Sequence, residues 1–454
     1  MRDVLNKMFR DFSVRGVVPQ ELNPAIVETL GRAFGTYAGE HDVSTVVVGY
    51  DVRTSSPALE QALVAGLVST GCTVKRLGLV STPVWNWAAS HHAPDGGVMI
   101  TASHNPPKYN GVKFRLADPL VDQELVRIKE LALRGEFRSG SGQVTEVDAW
   151  PEYCAALEPL LQAAAGKRTL VVDAGNGATA GWIGDLLRGI GHRVVALNDT
   201  RDGNFPGRGP DPSAAGALAE LSETVVQEKA DLGLAFDGDG DRLVVVDDGG
   251  RVRLGDEVLI VLSRHLLAHN PGRAVVFDLS ATRALSESIV RQGGVPIRSR
   301  VGYPFVYASV KAHRAIVGGE ISGHLFFDDP AFRFDDATVA ALRLLCALNA
   351  LGMSLSGALA EAPKYVRRPP ERVEVADANK PAIIARLARL LAEDGPVDLT
   401  EGVSVELPGG WALVRSSGTE PLIRVSVEGQ TEADCQRIRA LVLARLETAQ
   451  QTVE

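Results

Sequence analysis

The chain has 454 residues and a formal net charge of −9. That length exceeds one ordinary core and points to about three or four domains. The acidic balance argues against a nucleic-acid partner or a membrane surface. The four cysteines, Cys72, Cys154, Cys346 and Cys435, stand far apart with no C-x-x-C pair, the pattern of reduced, buried or incidental thiols. No apolar run reaches membrane-spanning length and the first residues carry no signal-type apolar core, so a cytoplasmic enzyme is expected.

Taken in chain order, runs rich in β-branched residues predict strands over Ser44–Tyr50 and Thr73–Leu77, with helices over Pro57–Ser69 and near Val84–Ser90. A buried strand over Gly97–Thr101 leads into Thr101-Ala102-Ser103-His104-Asn105-Pro106. There Asn105, Pro106 and Pro107 stop a helix and fix Ser103 on a turn. A serine held this way is placed to carry a phosphoryl group, and Arg10, Arg15, Lys108 and Lys113 lie near it in sequence. The alternation restarts at Thr169–Asp173, with a helix near Gly181–Ile190 and a strand over His192–Leu197. It restarts again at Ala274–Phe277, followed by a helix from Ala281 to Gln292. Three such runs imply three α/β domains with mainly parallel or mixed sheets. Beyond Pro363, Pro369 and Pro370, a helix (Lys380–Leu391), strands (Val403–Glu406, Trp411–Val414, Leu422–Val427) and a last helix (Glu432–Thr448) suggest a smaller α+β domain. The resulting divisions are residues 1–150, 151–250, 251–365 and 366–454.

Three further loops at strand ends carry chemistry. Asp237-Gly238-Asp239-Gly240-Asp241-Arg242 follows a strand over Asp231–Phe236. Its alternating carboxylates repel one another unless a cation holds them, and the glycines let the backbone curl around it. Hard oxygen donors suit Mg²⁺, with Asp237, Asp239 and Asp241 as ligands. An EF-hand calcium loop is the rival, but it needs glycine at its sixth position, where Arg242 stands, and a helix rather than a strand before it. Arg242 beside such a metal suits a phosphoryl oxygen. The second loop, Gly318-Gly319-Glu320-Ile321-Ser322-Gly323-His324, follows Ala315–Val317 and offers Glu320 and Ser322 to vicinal sugar hydroxyls. The third, Arg415-Ser416-Ser417-Gly418-Thr419-Glu420-Pro421, combines a guanidinium, hydroxyls and an exposed backbone N–H into a phosphate cradle. All four loops sit where open α/β sheets place ligands. Asp173-Ala174-Gly175-Asn176-Gly177 lacks the glycine spacing of a dinucleotide loop and reads as a strand–helix turn; His91 and His92 read as helix-end residues.

These residues closely resemble the α-phosphohexomutase family. Phe9-Arg10 through Arg15-Gly16-Val17-Val18 resembles its N-terminal signature, and the four loops resemble its phosphoserine, metal, sugar and phosphate loops in family order. Asp202-Gly203-Asn204-Phe205-Pro206 and Asp211-Pro212 match a further segment. His324-Leu325-Phe326-Phe327 and Phe334-Asp335-Asp336 look like the phosphomannomutase/phosphoglucomutase branch; phosphoglucosamine mutases usually have Gln where Ile321 stands. Departures are Phe12 and Ser13 for the common Tyr-Asp, Ser280 for lysine and Tyr303 for histidine.

The resemblance implies three related α/β domains and a smaller α+β domain around a central cleft. It implies interconversion of hexose 1-phosphate and hexose 6-phosphate through a phosphoserine at Ser103, with Mg²⁺ bound there and a hexose 1,6-bisphosphate as intermediate and activator. Ser103, His104, Lys113, Arg242 and His324 are the expected catalytic residues, with Lys113 and His324 both open as the proton acceptor. Arg15, Glu320, Ser322, Arg415, Ser417, Gly418 and Thr419 are expected to bind substrate. The partners expected are small-molecule hexose phosphates. Alternatives are a phosphoglucosamine mutase, a phosphatase and a non-catalytic sugar-phosphate-binding protein. The sugar epimer and the oligomeric state leave no short sequence signature.

Overall fold

The computed structural model describes residues 2–9, 12–92, 96–368, 370–416 and 422–451. The chain divides into two compact units: Met1–His265 with Ser322–Leu359, and Leu266–Ile321 with Ala360–Glu454.

In the first unit, the valines of Thr45–Tyr50 are buried on both faces, as a strand covered by helices on each side requires. This strand pairs in parallel with Thr73–Leu79 and Gly97–Ile100. Tyr109–Arg115 then runs antiparallel to Gly97–Ile100, and Val14–Val17 antiparallel to Tyr109–Arg115. The sheet is therefore mixed. The helix Pro24–Glu40, absent from the sequence expectation, starts on signals that were available: the Asn23 side chain accepts from Ile26 N, and proline fills the first turn. It packs against the Ser56–Ser69 helix through two glycines; a Cβ built on Gly66 would fall 3.1 Å from Gly31 Cα. Any larger residue at either position would force the helices apart.

A second mixed sheet in the same unit has Thr169–Asp173 parallel to both Arg193–Leu197 and Leu232–Phe236, with Leu243–Asp247 antiparallel to the latter. Leu232–Phe236 and Leu243–Asp247 are buried throughout. The hairpin between them is the Asp237–Arg242 loop. Helix Ala337–Leu351 is almost wholly buried, and Asp336 caps its N-terminus by accepting from Thr338 N and Val339 N.

The second unit contains a parallel set, Val295–Ser299, Ala274–Asp278 and Val317–Gly319, with Ala274–Asp278 central. It also contains an antiparallel sheet built on Val403–Leu407, Gly410–Ser416 and Leu422–Gly429. Helices Lys380–Leu391 and Glu432–Gln450 cover that sheet with Ile383, Leu387, Ile438 and Val442. Strands clustered between two helices are what the C-terminal sequence predicted. Among the described residues, no helix is long and apolar enough to cross a membrane.

Candidate active site

In the first unit the Ser103 loop meets the Asp237–Arg242 loop. Gly97–Ile100 ends at the first and Leu232–Phe236 at the second, so both leave the downstream end of a buried strand. Ser103 is buried and has φ +47, a left-handed conformation that costs a non-glycine residue about 1–2 kcal/mol. Two contacts hold it there. The Thr101 hydroxyl accepts from Ser103 N at 2.9 Å, and Arg53 Nη2 donates to Ser103 O at 2.8 Å.

Arg53 organises the whole turn. Its Nη2 also donates to Asn105 O, and its Nη1 donates to Pro106 O and Tyr109 O at 2.9 Å each. Its Nε pairs with Asp51 at 3.1 Å, both side chains being completely buried. Phe205, from the segment Asp202–Pro206, lies under the guanidinium at 5.1 Å. Sequence reading missed Asp51 and Arg53. The available signal was an acid and a base two residues apart at a strand end, which by itself reads as a surface pair.

The Ser103 hydroxyl donates to Asp237 Oδ2 at 2.7 Å. The other Asp237 oxygen accepts from the backbone N–H groups of Gly240, Asp241 and Arg242, so the loop curls around it. Asp239 Oδ2 receives the Thr82 hydroxyl at 2.6 Å and Lys113 Nζ at 3.0 Å, and the Thr101 hydroxyl lies between it and Asp51. Lys113 Nζ also reaches Asp241 Oδ2 at 2.5 Å. Thr82 and Thr101 were likewise not anticipated.

The three carboxylates are buried and offer oxygens within 4.8 Å of one another. Burial, then the charges of Asp241 and Asp239, pushes the Asp237 carboxyl well above the usual range. Burial and Asp239 push Asp241 up as well. At Asp239 the upward push of burial is outweighed by Lys113 and the Thr82 hydroxyl, and its carboxyl stays low. Among the described residues, Asp239 Oδ1 and Asp241 Oδ1 are buried without a hydrogen-bond partner. A crowded, buried carboxylate set with two such oxygens fits a divalent cation.

His104 Nδ1 lies 3.4 Å from Ser103 Oγ. The Arg242 charge, then burial, then Arg15 hold this imidazole well below its ordinary pKa, so it is neutral near pH 7. Arg15, on Val14–Val17 opposite Gly111, donates from Nη1 to Thr101 O. Arg242 Nε donates to His324 Nε2 at 2.9 Å, and the His324 Nδ1 lies 2.6 Å from Asp335 Oδ2. Ser103, His104, Lys113, Arg15, Arg242, His324 and the three aspartates therefore converge. Ser322, half-buried, belongs to the same unit.

The other expected substrate residues lie in the second unit. Glu320 is buried and its Oε1 accepts from Gly302 N at 2.7 Å. Asp278, at the end of Ala274–Asp278, accepts from Ser280 N at 2.6 Å and Ile321 N at 2.9 Å, fixing both loops. Tyr303 opens the helix Tyr303–His313. Arg415 lies 3.4 Å from Glu401. Ser417, Gly418 and Thr419, with Glu420, Pro421 and Arg10, fall outside the described residues. His91 closes the Thr82–His91 helix and stacks on Trp87. Asp173 pairs with Arg208 at 2.7 Å, the strand–helix turn expected of it.

Comparison with known proteins agrees with this geometry. The family descriptions "Phosphoglucomutase/phosphomannomutase, alpha/beta/alpha domain" I, II and III match residues 6–139, 151–250 and 254–365, and the C-terminal domain description matches 371–445. The chain belongs to the phosphoglucomutase/phosphomannomutase family. Within that family it is 37% identical over 442 residues to a phosphomannomutase/phosphoglucomutase of Pseudomonas syringae pv. tomato, covering 97% of this chain and 95% of the relative. It is 36% identical over 447 residues to a probable phosphoglucosamine mutase of Methanopyrus kandleri, covering 96% of each chain. The crystal structure of a phosphoglucomutase/phosphomannomutase family protein from Burkholderia thailandensis superposes with a TM-score of 0.90 at 31% identity, over 98% of each chain. The fold is thus three α/β/α domains and a C-terminal domain, and the chain is an enzyme of the isomerase class that family comprises.

Proposed function

We propose that this enzyme interconverts hexose 1-phosphate and hexose 6-phosphate, of mannose, glucose or both, with Ser103 as the phosphoryl carrier. The observation that carries the proposal is the 2.7 Å contact between the Ser103 hydroxyl and Asp237, on a backbone held left-handed by Arg53 and Thr101. A Mg²⁺ ion held by Asp237, Asp239, Asp241 and an oxygen at Ser103 would supply positive charge against the phosphoryl group. Arg242 and Arg15 orient that group's other oxygens. The sugar hydroxyl attacks phosphorus as the Ser103 Oγ–P bond breaks. Lys113 and His324 are the two candidates to take the hydroxyl proton: Lys113 Nζ donates to Asp239 and Asp241 and would first have to give up a proton, and His324 Nε2 would have to release Arg242 Nε. His104 stands beside the departing serine oxygen, which regains the proton that the sugar hydroxyl gives up, so no proton is gained or lost over the transfer.

In this reading Arg415, Ser417, Gly418 and Thr419 bind the phosphate the substrate already carries, and Glu320 and Ser322 bind sugar hydroxyls. The product of the first transfer is a hexose 1,6-bisphosphate, which reverses its orientation and returns its other phosphate to Ser103; added bisphosphate acts as activator. The four cysteines are unpaired with one another, which suits a cytoplasmic enzyme.

The Methanopyrus relative supports one second reading, a phosphoglucosamine mutase. Ile321 and Phe334-Asp335-Asp336 favour the first. A coupled turnover assay with glucose, mannose and glucosamine 1-phosphates, Mg²⁺ and catalytic bisphosphate decides between them. Glucose or mannose should turn over at least ~10-fold faster by kcat/KM. The reverse order would replace the first reading with the second.

A further inference from the structure

Arg242 and His324 come from different loops, and their backbones pair as an isolated antiparallel bridge. Next to it Leu243 N donates to Gly323 O at 3.1 Å. Gly323 has φ +97, and a Cβ there would strike the Leu243 carbonyl, so only glycine lets the two loops close. The side chains then meet through Arg242 Nε and His324 Nε2 at 2.9 Å. An arginine Nε is always a donor, so Nε2 must be the bare nitrogen of the ring. The ring's proton therefore sits on Nδ1, which lies 2.6 Å from Asp335 Oδ2 and 3.7 Å from Asp241 Oδ1.

Both neighbours of Asp335 are anchored elsewhere. The Phe334 ring lies against the Arg115 guanidinium, 4.0 Å from its centroid, and Asp336 caps Ala337–Leu351 while accepting the Tyr153 hydroxyl at 2.8 Å. With its flanks fixed, the buried Asp335 carboxylate stays against the His324 ring, its Oδ2 meeting Nδ1 at ion-pair distance and not as an aligned hydrogen bond.

We infer that Asp335 is a positioning residue: it locks His324 as the Nδ1–H tautomer, and the bare Nε2 aims the Arg242 guanidinium at the phosphoryl group. The inference rests on the proposed role of Arg242. It explains the Phe334-Asp335-Asp336 run physically, as an anchor, an orienter and a cap in succession. Loss of the orienter lets the ring take the other tautomer, which turns an N–H against the Arg242 Nε–H and displaces the guanidinium.

The test is nitrogen NMR of the whole chain labelled with ¹⁵N-histidine, without substrate, with the His324 signals assigned by difference from His324→Gln. Wild type should show a protonated Nδ1 and a bare Nε2. A protonated Nε2, or two protonated nitrogens, at pH 8 would overturn the inference without reference to any activity. Asp335→Ala should mix the tautomers and lower kcat ~10- to 100-fold with KM within threefold. Unchanged kcat in a folded Asp335→Ala protein would also overturn it. Arg242→Ala separately tests the reading beneath: full turnover there would remove the role of Arg242, whatever the tautomer of His324.

Discussion

Replacing Arg53 with lysine keeps the charge and removes the fork, and the structure sets the size of the effect. The guanidinium reaches four backbone carbonyls, those of Ser103, Asn105, Pro106 and Tyr109, while its Nε pairs with Asp51. A lysine has three donors on one flexible stem. After pairing with Asp51 it can satisfy at most about two of the four carbonyls. Each buried acceptor left short costs about 1–3 kcal/mol, so the loss is about 2–6 kcal/mol. That is a large part of the ~5–15 kcal/mol that keeps a typical domain folded. The melting transition of the first unit should fall by roughly 5–15 °C, read by calorimetry. The Ser103 and Asn105 carbonyls among the four lie in the Ser103 turn, and a ~1 Å misplacement there should cost about 100-fold in kcat. Arg53→Met should be worse, because it strands the buried Asp51 charge for a further ~3–5 kcal/mol. An Arg53→Lys protein melting within about 1 °C of wild type, with kcat within twofold, would refute the assignment of Arg53 as the organiser of the turn.

Asp239→Asn should weaken Mn²⁺ binding by at least ~100-fold in calorimetric titration. Wild type should gain about 2.7 kcal/mol of stability at Mg²⁺ one hundred times its Kd, a gain the variant lacks at that concentration; equal stabilisation of both would move the cation elsewhere. Arg415→Ala should raise KM for hexose phosphates ~10- to 100-fold, the worth of a charge-assisted hydrogen bond, with kcat within a few-fold; a fall in kcat at constant KM would contradict its role in holding the existing phosphate. His192 accepts Arg168 N at Nδ1 and faces Ala164 O with Nε2, and burial lowers its pKa below the ordinary value. Between that lowered value and about 6.5 the unfolded chain binds a proton the folded chain refuses, so stability falls as pH drops through this window. His192→Gln should flatten the decline in denaturation midpoint between pH 7 and 5, and an unaltered pH curve would count against it.

Local chemistry was legible in the sequence; long-range support was not. The Asp237–Arg242 loop declared itself because its alternating carboxylates repel one another, and Ser103 because prolines bound its turn. Lys113 and Arg15 were found by nearness in sequence to Ser103, although what places them is strand pairing. Asp51, Arg53 and Thr82 escaped notice because each acts on a loop that reaches it only after folding: Thr82 lies 157 residues from the aspartate it meets, and Thr101, two residues from the Ser103 N–H it accepts from, meets Asp51 and Asp239 only across long stretches of sequence. Asp335 was read as a branch marker, and its position against the His324 ring could not be inferred from spacing. The Pro24–Glu40 helix was readable from Asn23 and Pro24, yet its packing depends on Gly31 and Gly66 meeting across helices, a coincidence no local pattern announces.

The most direct measurement is to incubate the enzyme with a hexose 1,6-bisphosphate carrying an isotopically labelled phosphate and to locate the label by tandem mass spectrometry. The account predicts one labelled residue, Ser103, with neither label nor turnover in Ser103→Ala. Label on another side chain, or sustained turnover in Ser103→Ala, would contradict it.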